Sequence, residues 1–269
     1  MKPFLKWAGG KARIAERIKA VLPRGERLVE PFVGSGALFL NVEFPAYLLA
    51  DANRDLINCY QQLQRSGMTF IDHCAAYFVP EQNQPDAYYA LRKHFNTTTD
   101  PLDKAVIFVY LNRHGYNGLC RYNASGGFNV PFGRYARPYF PRDEMIYFWQ
   151  KAARSKFVAA DFVNTMQATV AGDVVYCDPP YVPLSATASF TNYSADGFTM
   201  ESQVQLAHEA EALARRGIPV VISNHNLPFT QDIYASADEL VFFDVQRHIS
   251  CNGANRTTAA ELLAVFRVR

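Results

Sequence analysis

The sequence predicts an α/β fold: a largely parallel sheet covered by helices on both faces, ending in an antiparallel hairpin at one edge and interrupted by an inserted, mainly helical segment. Three observations predict it. Short apolar runs of strand length alternate with helix-length patterns towards both ends of the chain. That alternation breaks between about residues 55 and 144. The last two apolar runs are separated by a polar turn and not by a helix. At 269 residues the chain is long enough for one large domain or for a domain carrying an insertion.

Each element follows from its own pattern. "RLVEPF" (27–32), "AYLLAD" (46–51), "DVVYCD" (173–178) and "IPVVISN" (218–224) are continuous apolar runs, as expected of parallel strands buried on both faces. Helical patterns lie between them: "GALFLNVEF" after the first and "DLINCYQQLQR" after the second. "ESQVQLAHEAEALARRG" (201–217) precedes the fourth, with Val204, Leu206, Ala207, Ala210, Leu213 and Ala214 on one face and Gly217 as a natural stop. "ELVFFDVQRHIS" and "ELLAVFRV" form the terminal hairpin. The middle of the chain holds helical segments and then "NGLCRYNASGGFNVPFGRYARPYFP", in which Ser125-Gly126-Gly127 reads as a hairpin turn. The division is therefore 1–54 with 145–269 as one domain and 55–144 as the insertion.

Composition removes several classes. Cys59, Cys74, Cys120, Cys177 and Cys251 are scattered and none forms C-x-x-C, a pattern of reduced thiols and not of a disulfide framework or zinc site. The longest apolar run, "AVIFVYL" (105–111), is far too short to span a bilayer, and "MKPFLKWAGGK" lacks a signal-peptide apolar region. A cytoplasmic monomer is expected, with no membrane contact and no obligate protein partner. The six histidines show no ligand spacing, so no metal is expected. Net charge is +2, but Leu91–Arg142 carries eight Lys or Arg against Asp100 and Asp103, interleaved with five tyrosines. Such a stretch suits a polyanion site, or else a solvated basic surface.

In an open α/β sheet, ligands sit beyond the carboxyl ends of the strands. "EPFVGSG" (30–36) ends one strand there, and Gly34 and Gly36 permit a tight turn with close approach to a ligand, or simply close packing of a strand on a helix. Asp51 ends the next strand, where an acidic residue could take both hydroxyls of a ribose or cap a helix. The third signal is Asp178-Pro179-Pro180-Tyr181. Its prolines fix φ and lack N–H groups, so the Asp178 carboxylate and the Pro179 carbonyl can stand as two fixed acceptors beside the Tyr181 ring. Two acceptors and an aromatic plate match a planar group bearing an exocyclic amine. Accepting both N–H bonds draws that nitrogen towards sp³ and localises its lone pair for attack. No proline precedes any cysteine, which removes cytosine-C5 chemistry, and the H-x-E with P-C-x-x-C of zinc deaminases is absent.

With "FLKWAGGK" (4–11), "EPFVGSG" and "DPPY" in this order, the chain resembles the α-class DNA adenine-N6 methyltransferases over nearly its whole length, and "LNRHGYNGLCRYNASGGFNVPFGRY" (111–135) is similar to the recognition segment of the Dam methyltransferases, which act on GATC. The resemblance implies a Rossmann-like S-adenosylmethionine-dependent methyltransferase sheet, with 55–144 as a target-recognition domain carrying a β-hairpin, and duplex DNA as substrate. It implies that Trp7, Lys11 and the turn Glu30, Pro31, Phe32, Gly34 and Gly36 contact S-adenosylmethionine. Asp51 would hold its ribose, Asp161 and Phe162 would flank its adenine, and Asp178 would lie against it too. Asp178, Pro179, Pro180 and Tyr181 would hold an adenine flipped out of the duplex. Lys6 would read the first guanine and Arg121 the guanine paired with the last cytosine. Leu119 and Pro131 would pack on thymine methyls, and Tyr116 with Asn117 would fill the gap left by flipping. Arg92, Arg113, Asn123, Asn129 and Arg134 would contact phosphates. These pairings agree with groove chemistry, since Arg suits guanine O6/N7 and apolar groups suit the thymine methyl. Tyr116 and Leu119 could instead be core residues of the insertion. Ala136 stands where a further cation would have aided DNA binding.

Two rival functions share much of this pattern: an amino-group methyltransferase acting on RNA or a protein glutamine, and a catalytically silent DNA-binding module. The polar stretch "VPLSATASFTNYSADGFT" (182–199) is expected to order over bound cofactor and DNA.

Overall fold

A computed structural model describes residues 1–11, 14–182, 198–246 and 258–268. Its strands are β1 (Arg27–Glu30), β2 (Ala46–Asp51), β3 (Ser155–Ala159), β4 (Asp173–Cys177), β5 (Val220–His225), β6 (Glu239–Gln246) and β7 (Thr258–Phe266). They form one mixed sheet in the order β3-β2-β1-β4-β5-β7-β6. β1 pairs in parallel with β2 and β4, and β4 with β5. β7 runs antiparallel to both β5 and β6. The predicted α/β sheet with its antiparallel end is thus present. Every residue of β4 and β5 is buried, which is why these runs read as continuously apolar.

By contacts the chain divides into two compact units: Met1–Glu16 with Val33–Glu43 and Asp51–Ala159, and Arg17–Phe32 with Phe44–Ala50 and Ala160–Arg269. This division by contact runs along different lines from the division by role read from the sequence. The first unit holds α2 (Arg54–Ala75), α3 (Pro85–Phe95), α4 (Pro101–His114) and α5 (Arg142–Ala152). Asn53 and Asp100 cap α2 and α4 by accepting N–H bonds from their first turns, and proline opens both α3 and α4. The apolar run 105–111 lies in α4, whose residues Ala105–His114 are all buried. A helix apolar on every side is a core helix. Beside it Phe4, Tyr60 and Phe148 interlock, with ring centroids 4.6 to 5.8 Å apart. Gly67 breaks the helical geometry of α2 at φ 50°, where a Cβ would come within 2.5 Å of the Trp149 ring.

The second unit holds α1 (Ala15–Val21, which begins in the first unit), α6 (Phe162–Gln167), α7 (Met200–Arg215) and α8 (Pro228–Ile233) around the central strands. A bidentate pair joins the starts of two adjacent strands: Arg27 Nε and Nη2 lie 2.9 and 2.7 Å from the Asp173 carboxylate. α7 opens with a capping box between Thr199 and Ser202 and stops at Gly217, whose φ is 81°.

Two local expectations are corrected. "GALFLNVEF" forms only a single 3-10 turn, Phe39–Asn41, within its span. Gly34 and Gly36 use left-handed φ, Val42 is extended, and Phe44 precedes a proline, so too few residues remain for an α-helix. The expected hairpin turn is present: Tyr122 and Phe128 form an antiparallel bridge across it, Asn123 N–H donates to Gly127 O and Asn129 N–H to Arg121 O, and a second bridge joins Gly115 to Phe132. On α7 the buried face takes Gln203, with Val204 only half-buried. β3 had no counterpart among the expected strands. Most of the stretch expected to order over ligands lies outside the described residues. Among the described residues no helix is long and apolar enough to cross a membrane.

Candidate active site

The strand order reverses between β1 and β4, the place where open α/β sheets bind ligands beyond their carboxyl ends. In the second unit those two ends carry the turn at Glu30–Phe32 and the tetrapeptide at 178–181. Glu30 is 2 % exposed and Pro31 is buried, while Phe32 is half-buried. The Phe32 ring stacks on Phe162 at 5.5 Å, and Phe198 meets both edge-on at 5.5 Å. Asp161 is exposed and caps α6, accepting from Asn164 N–H at 2.8 Å.

Asp178 follows the last residue of β4 and is half-buried. The Ser223 hydroxyl lies 3.0 Å from its Oδ1. Pro179 is buried and Pro180 exposed, the latter accepting from Gln203 Nε2 at 2.8 Å. The Tyr181 hydroxyl donates to Glu261 at 3.1 Å, and its ring stands edge-on to His225 with centroids 4.7 Å apart. Burial, with the nearby Asp178 carboxylate, pushes the Tyr181 phenol well above its ordinary pKa, so it stays a neutral hydrogen-bond donor. The same two causes push the Cys177 thiol well up, so it is a buried strand residue and no nucleophile.

In the first unit, Gly34 adopts φ +46° and its amide donates to Asp51 Oδ2 at 3.0 Å, while Asn53 N–H donates to Oδ1 at 2.9 Å. A Cβ at Gly34 would lie 3.0 Å from Trp7 Nε1, so this turn and Trp7 need a residue without a side chain. Each Asp51 oxygen takes one N–H there and keeps a second lone pair, which fits a vicinal diol. Burial raises the Asp51 pKa, opposed by those two N–H bonds. Gly36 also uses a left-handed φ, 71°. Lys11 is buried, with Nζ 2.9 Å from Gly9 O.

The first unit also holds the expected base and phosphate contacts. Tyr116 and Leu119 are 48 % and 40 % exposed, so neither is a core residue of the insertion. Asn117, Arg121, Asn123, Pro131 and Arg134 are exposed as well. Asn117 and Arg134 adopt left-handed φ of 53° and 52°. Arg121 Nε donates to Asn129 Oδ1 at 2.8 Å across the hairpin, and Asn123 Oδ1 ties the turn by accepting from Ser125 and Gly127 N–H. Arg92 is half-buried and donates to Val130 O at 2.9 Å. Arg113 is not a surface cation. It is buried, with Nη2 on the Phe4 carbonyl and the Tyr139 ring 5.7 Å away.

Lys6 is clipped in place. Asn112 accepts from its N–H and donates to its carbonyl, both at 2.8 Å, and its ammonium sits 4.0 Å over the Tyr135 ring. Burial and the charge of Arg113 lower its pKa. Gly118, at φ +63°, lies so close that a Cβ would meet Lys6 Cβ at 2.3 Å. The hairpin is tied to the start of α2: Tyr122 donates to Asp55 at 2.7 Å and Asn53 Nδ2 to Cys120 Sγ at 3.4 Å.

Sequence reasoning passed over Ser223, Asn224, His225 and Gln203. The signal available was three successive polar residues at the end of an apolar strand. Among the described residues no three or more His, Cys, Asp or Glu gather as a metal site.

Known proteins match this chain along its length. It is 49 % identical over 266 residues to a DNA adenine methylase of Escherichia coli strain K12, covering 99 % of this chain and 95 % of that protein. A DNA adenine methylase of Serratia marcescens is 48 % identical over 267 residues, covering 99 % and 98 % respectively. Among solved structures, the human methyltransferase 10 domain containing protein aligns at 9 % identity and a TM-score of 0.44, over 95 % of this chain and 81 % of that one. The model of the D12 class N6 adenine-specific DNA methyltransferases matches residues 7–249. The tetrapeptide beyond β4 and the glycine turn beyond β1 thus lie in an enzyme that methylates DNA adenine, and the chain belongs to the D12 class N6 adenine-specific DNA methyltransferases.

Proposed function

We propose that this enzyme methylates N6 of the adenine in duplex GATC, after turning that base out of the helix, with S-adenosylmethionine as donor. The observation that carries the reading is the fixed Asp178–Tyr181 turn, with one carboxylate oxygen of Asp178 held by Ser223 and the Tyr181 ring held by His225 and Glu261. Asp178 and the Pro179 carbonyl accept the two N–H bonds of the adenine amine, and Tyr181 lies against the base. The charge that develops on the nitrogen meets acceptors already in place, so little reorganisation is needed. A base can reach this corner only when unstacked.

S-adenosylmethionine, when bound, supplies a methyl carbon on a positively charged sulfur. The remaining work falls to protein side chains. Asp51, already oriented by Gly34 and Asn53, takes the ribose hydroxyls. Phe32 and Phe162 offer apolar faces for an adenine ring, with Asp161 beside them. Trp7, Lys11, Glu30, Pro31, Gly34 and Gly36 complete the proposed contacts.

On the DNA side, Lys6 and Arg121 read guanines, Leu119 and Pro131 meet thymine methyls, and Tyr116 with Asn117 occupies the vacated stack. Arg92, Asn123, Asn129 and Arg134 set register on phosphates. Arg113 reaches a phosphate only if its burial opens on binding.

The test is transfer of tritiated methyl into duplexes with and without GATC, followed by nucleoside analysis. Label in N6-methyladenine of the GATC duplex alone is expected. Equal labelling of both duplexes would remove the specificity proposed. Asp178→Ala is expected to abolish transfer and leave DNA affinity nearly unchanged, and near-normal turnover would remove the role of Asp178.

A further inference from the structure

The two prolines create a problem of support. Pro179 and Pro180 have no N–H, so the segment that must be most rigid lacks two backbone donors at its middle. Four side chains from other elements supply the missing bonds. β5 ends in Ser223-Asn224-His225, at most 6 % exposed, and α7 turns Gln203 inward at 0 % exposed on a face otherwise made of Leu and Ala. Burying four polar side chains together is costly unless each is bonded. Here they are bonded, and largely to residues 178–182.

The Ser223 hydroxyl lies 3.0 Å from Asp178 Oδ1 and 2.9 Å from the Tyr176 hydroxyl. Gln203 Nε2 donates to the Pro180 carbonyl at 2.8 Å, and Gln203 Oε1 accepts from Asn224 Nδ2 at 2.9 Å. Asn224 Nδ2 also lies 3.2 Å from the Tyr234 hydroxyl. Asn224 Oδ1 accepts from Val182 N–H at 3.4 Å. The His225 ring donates through Nδ1 to the Val182 carbonyl at 2.6 Å and meets the Tyr181 ring edge-on. Carboxylate, carbonyl, ring and following peptide are each held by a different side chain.

We infer that Ser223 and Gln203 are positioning residues for methyl transfer, Ser223 by setting the plane of the Asp178 carboxylate and Gln203 by fixing the Pro180 peptide. The inference rests on the reading of Asp178–Tyr181 as the amine clamp. Neither side chain touches the base. Each acts through an atom of the clamp, so its loss slows the chemical step and spares ligand binding.

The experiment compares the parent enzyme with Ser223→Ala, Ser223→Thr, Gln203→Glu and Asp178→Ala. Turnover is measured on GATC duplexes, with KM for DNA and for S-adenosylmethionine. Fluorescence of 2-aminopurine in place of the target adenine reports eversion of the base. Ser223→Ala is expected to melt near the parent, to keep the fluorescence rise and both KM values within about twofold, and to lose about tenfold or more in kcat, because small misplacements at a reacting centre cost up to about 10²-fold. Ser223→Thr, which restores the hydroxyl, recovers most of that loss. Gln203→Glu keeps the acceptor for Asn224 but loses the donor to Pro180 once its carboxyl ionises, so it shows the same split at pH above the burial-raised pKa of that carboxyl. It decides the matter if Ser223→Ala melts early. Parent-like kcat in Ser223→Ala and Gln203→Glu, with Asp178→Ala inactive, overturns the inference and leaves the clamp standing. An active Asp178→Ala removes the clamp itself.

Discussion

Arg121 shows what a single side chain contributes before any ligand arrives. Its Nε is held at 2.8 Å by Asn129 on the opposite arm of the hairpin, so the guanidinium plane is set in advance and, on the proposed role, less rotamer freedom is lost on meeting a guanine. Arg121→Ala is expected to relax discrimination at one guanine by about 1–3 kcal/mol while other positions keep theirs, as read from kcat/KM on singly substituted duplexes. His114 carries a different kind of consequence. Buried at the end of α4, it donates Nδ1–H to Tyr110 O at 3.0 Å, and burial pulls its pKa from 6.5 down to about 4. The unfolded chain takes up this proton near pH 6.5 and the folded chain only near pH 4. The contribution to stability is therefore fully present above pH 6.5 and is lost as pH falls towards 4, with no further change below. The parent is expected to lose about 2 kcal/mol more than His114→Phe between about pH 7 and pH 4.5, measured from urea midpoints at each pH. Individual residues were unevenly legible in the sequence. Asp178 and Asp51 announced themselves by standing at strand ends, Asp178 with two prolines after it. Ser223 and Gln203 did not, because a buried polar group is recognised only by its partner, and their partners lie 45 and 23 residues away.

At the scale of elements, the start of α2 ties a strand end, a helix and the hairpin together. Asn53 accepts from Asp55 and Leu56 N–H at 3.0 Å, donates its own N–H to Asp51, and reaches Cys120 through its amide. Asn53→Ala removes the cap and is expected to cost about 1 kcal/mol, a fall of about 2–4 °C in Tm, with Asn53→Asp recovering most of it in a thermal melt. The strands were legible wherever both faces are buried, because an apolar run of strand length has few other uses. β3 was not, since its five residues include only one buried position, Phe157. "GALFLNVEF" misled because its apolar spacing suits a helix, whereas Gly34 before it, Gly36 at its start and the proline after it leave the backbone no room for one. The face of α7 was read one residue off at Val204, since hydropathy cannot foresee that Gln203 finds bonds in the interior.

For the whole molecule, a net charge of +2 conceals a strongly basic stretch, and DNA affinity is expected to depend on that stretch and on salt. Arg134→Ala, which on the proposed role removes one phosphate contact, is expected to weaken binding to all duplexes alike and to reduce the slope of log K against log salt by about 0.9, as measured by fluorescence anisotropy across a salt series. The fold class was legible because strand and helix patterns alternate along the chain. That β7 lies inside and β6 outside is also visible in retrospect: "ELLAVF" is buried at every position, whereas β6 leaves Phe242 50 % exposed. One small vacancy in side-chain chemistry sets a limit on how such an enzyme can change its target. Gly118 has no methyl, and Lys6 occupies the room that a methyl would need. On the proposed roles, the reader of the first guanine therefore rests against the backbone three residues before Arg121, like a tooth cut to fit one key. Any side chain placed at 118 is expected to push Lys6 aside and so, on the proposed roles, to blur the first letter of the target word.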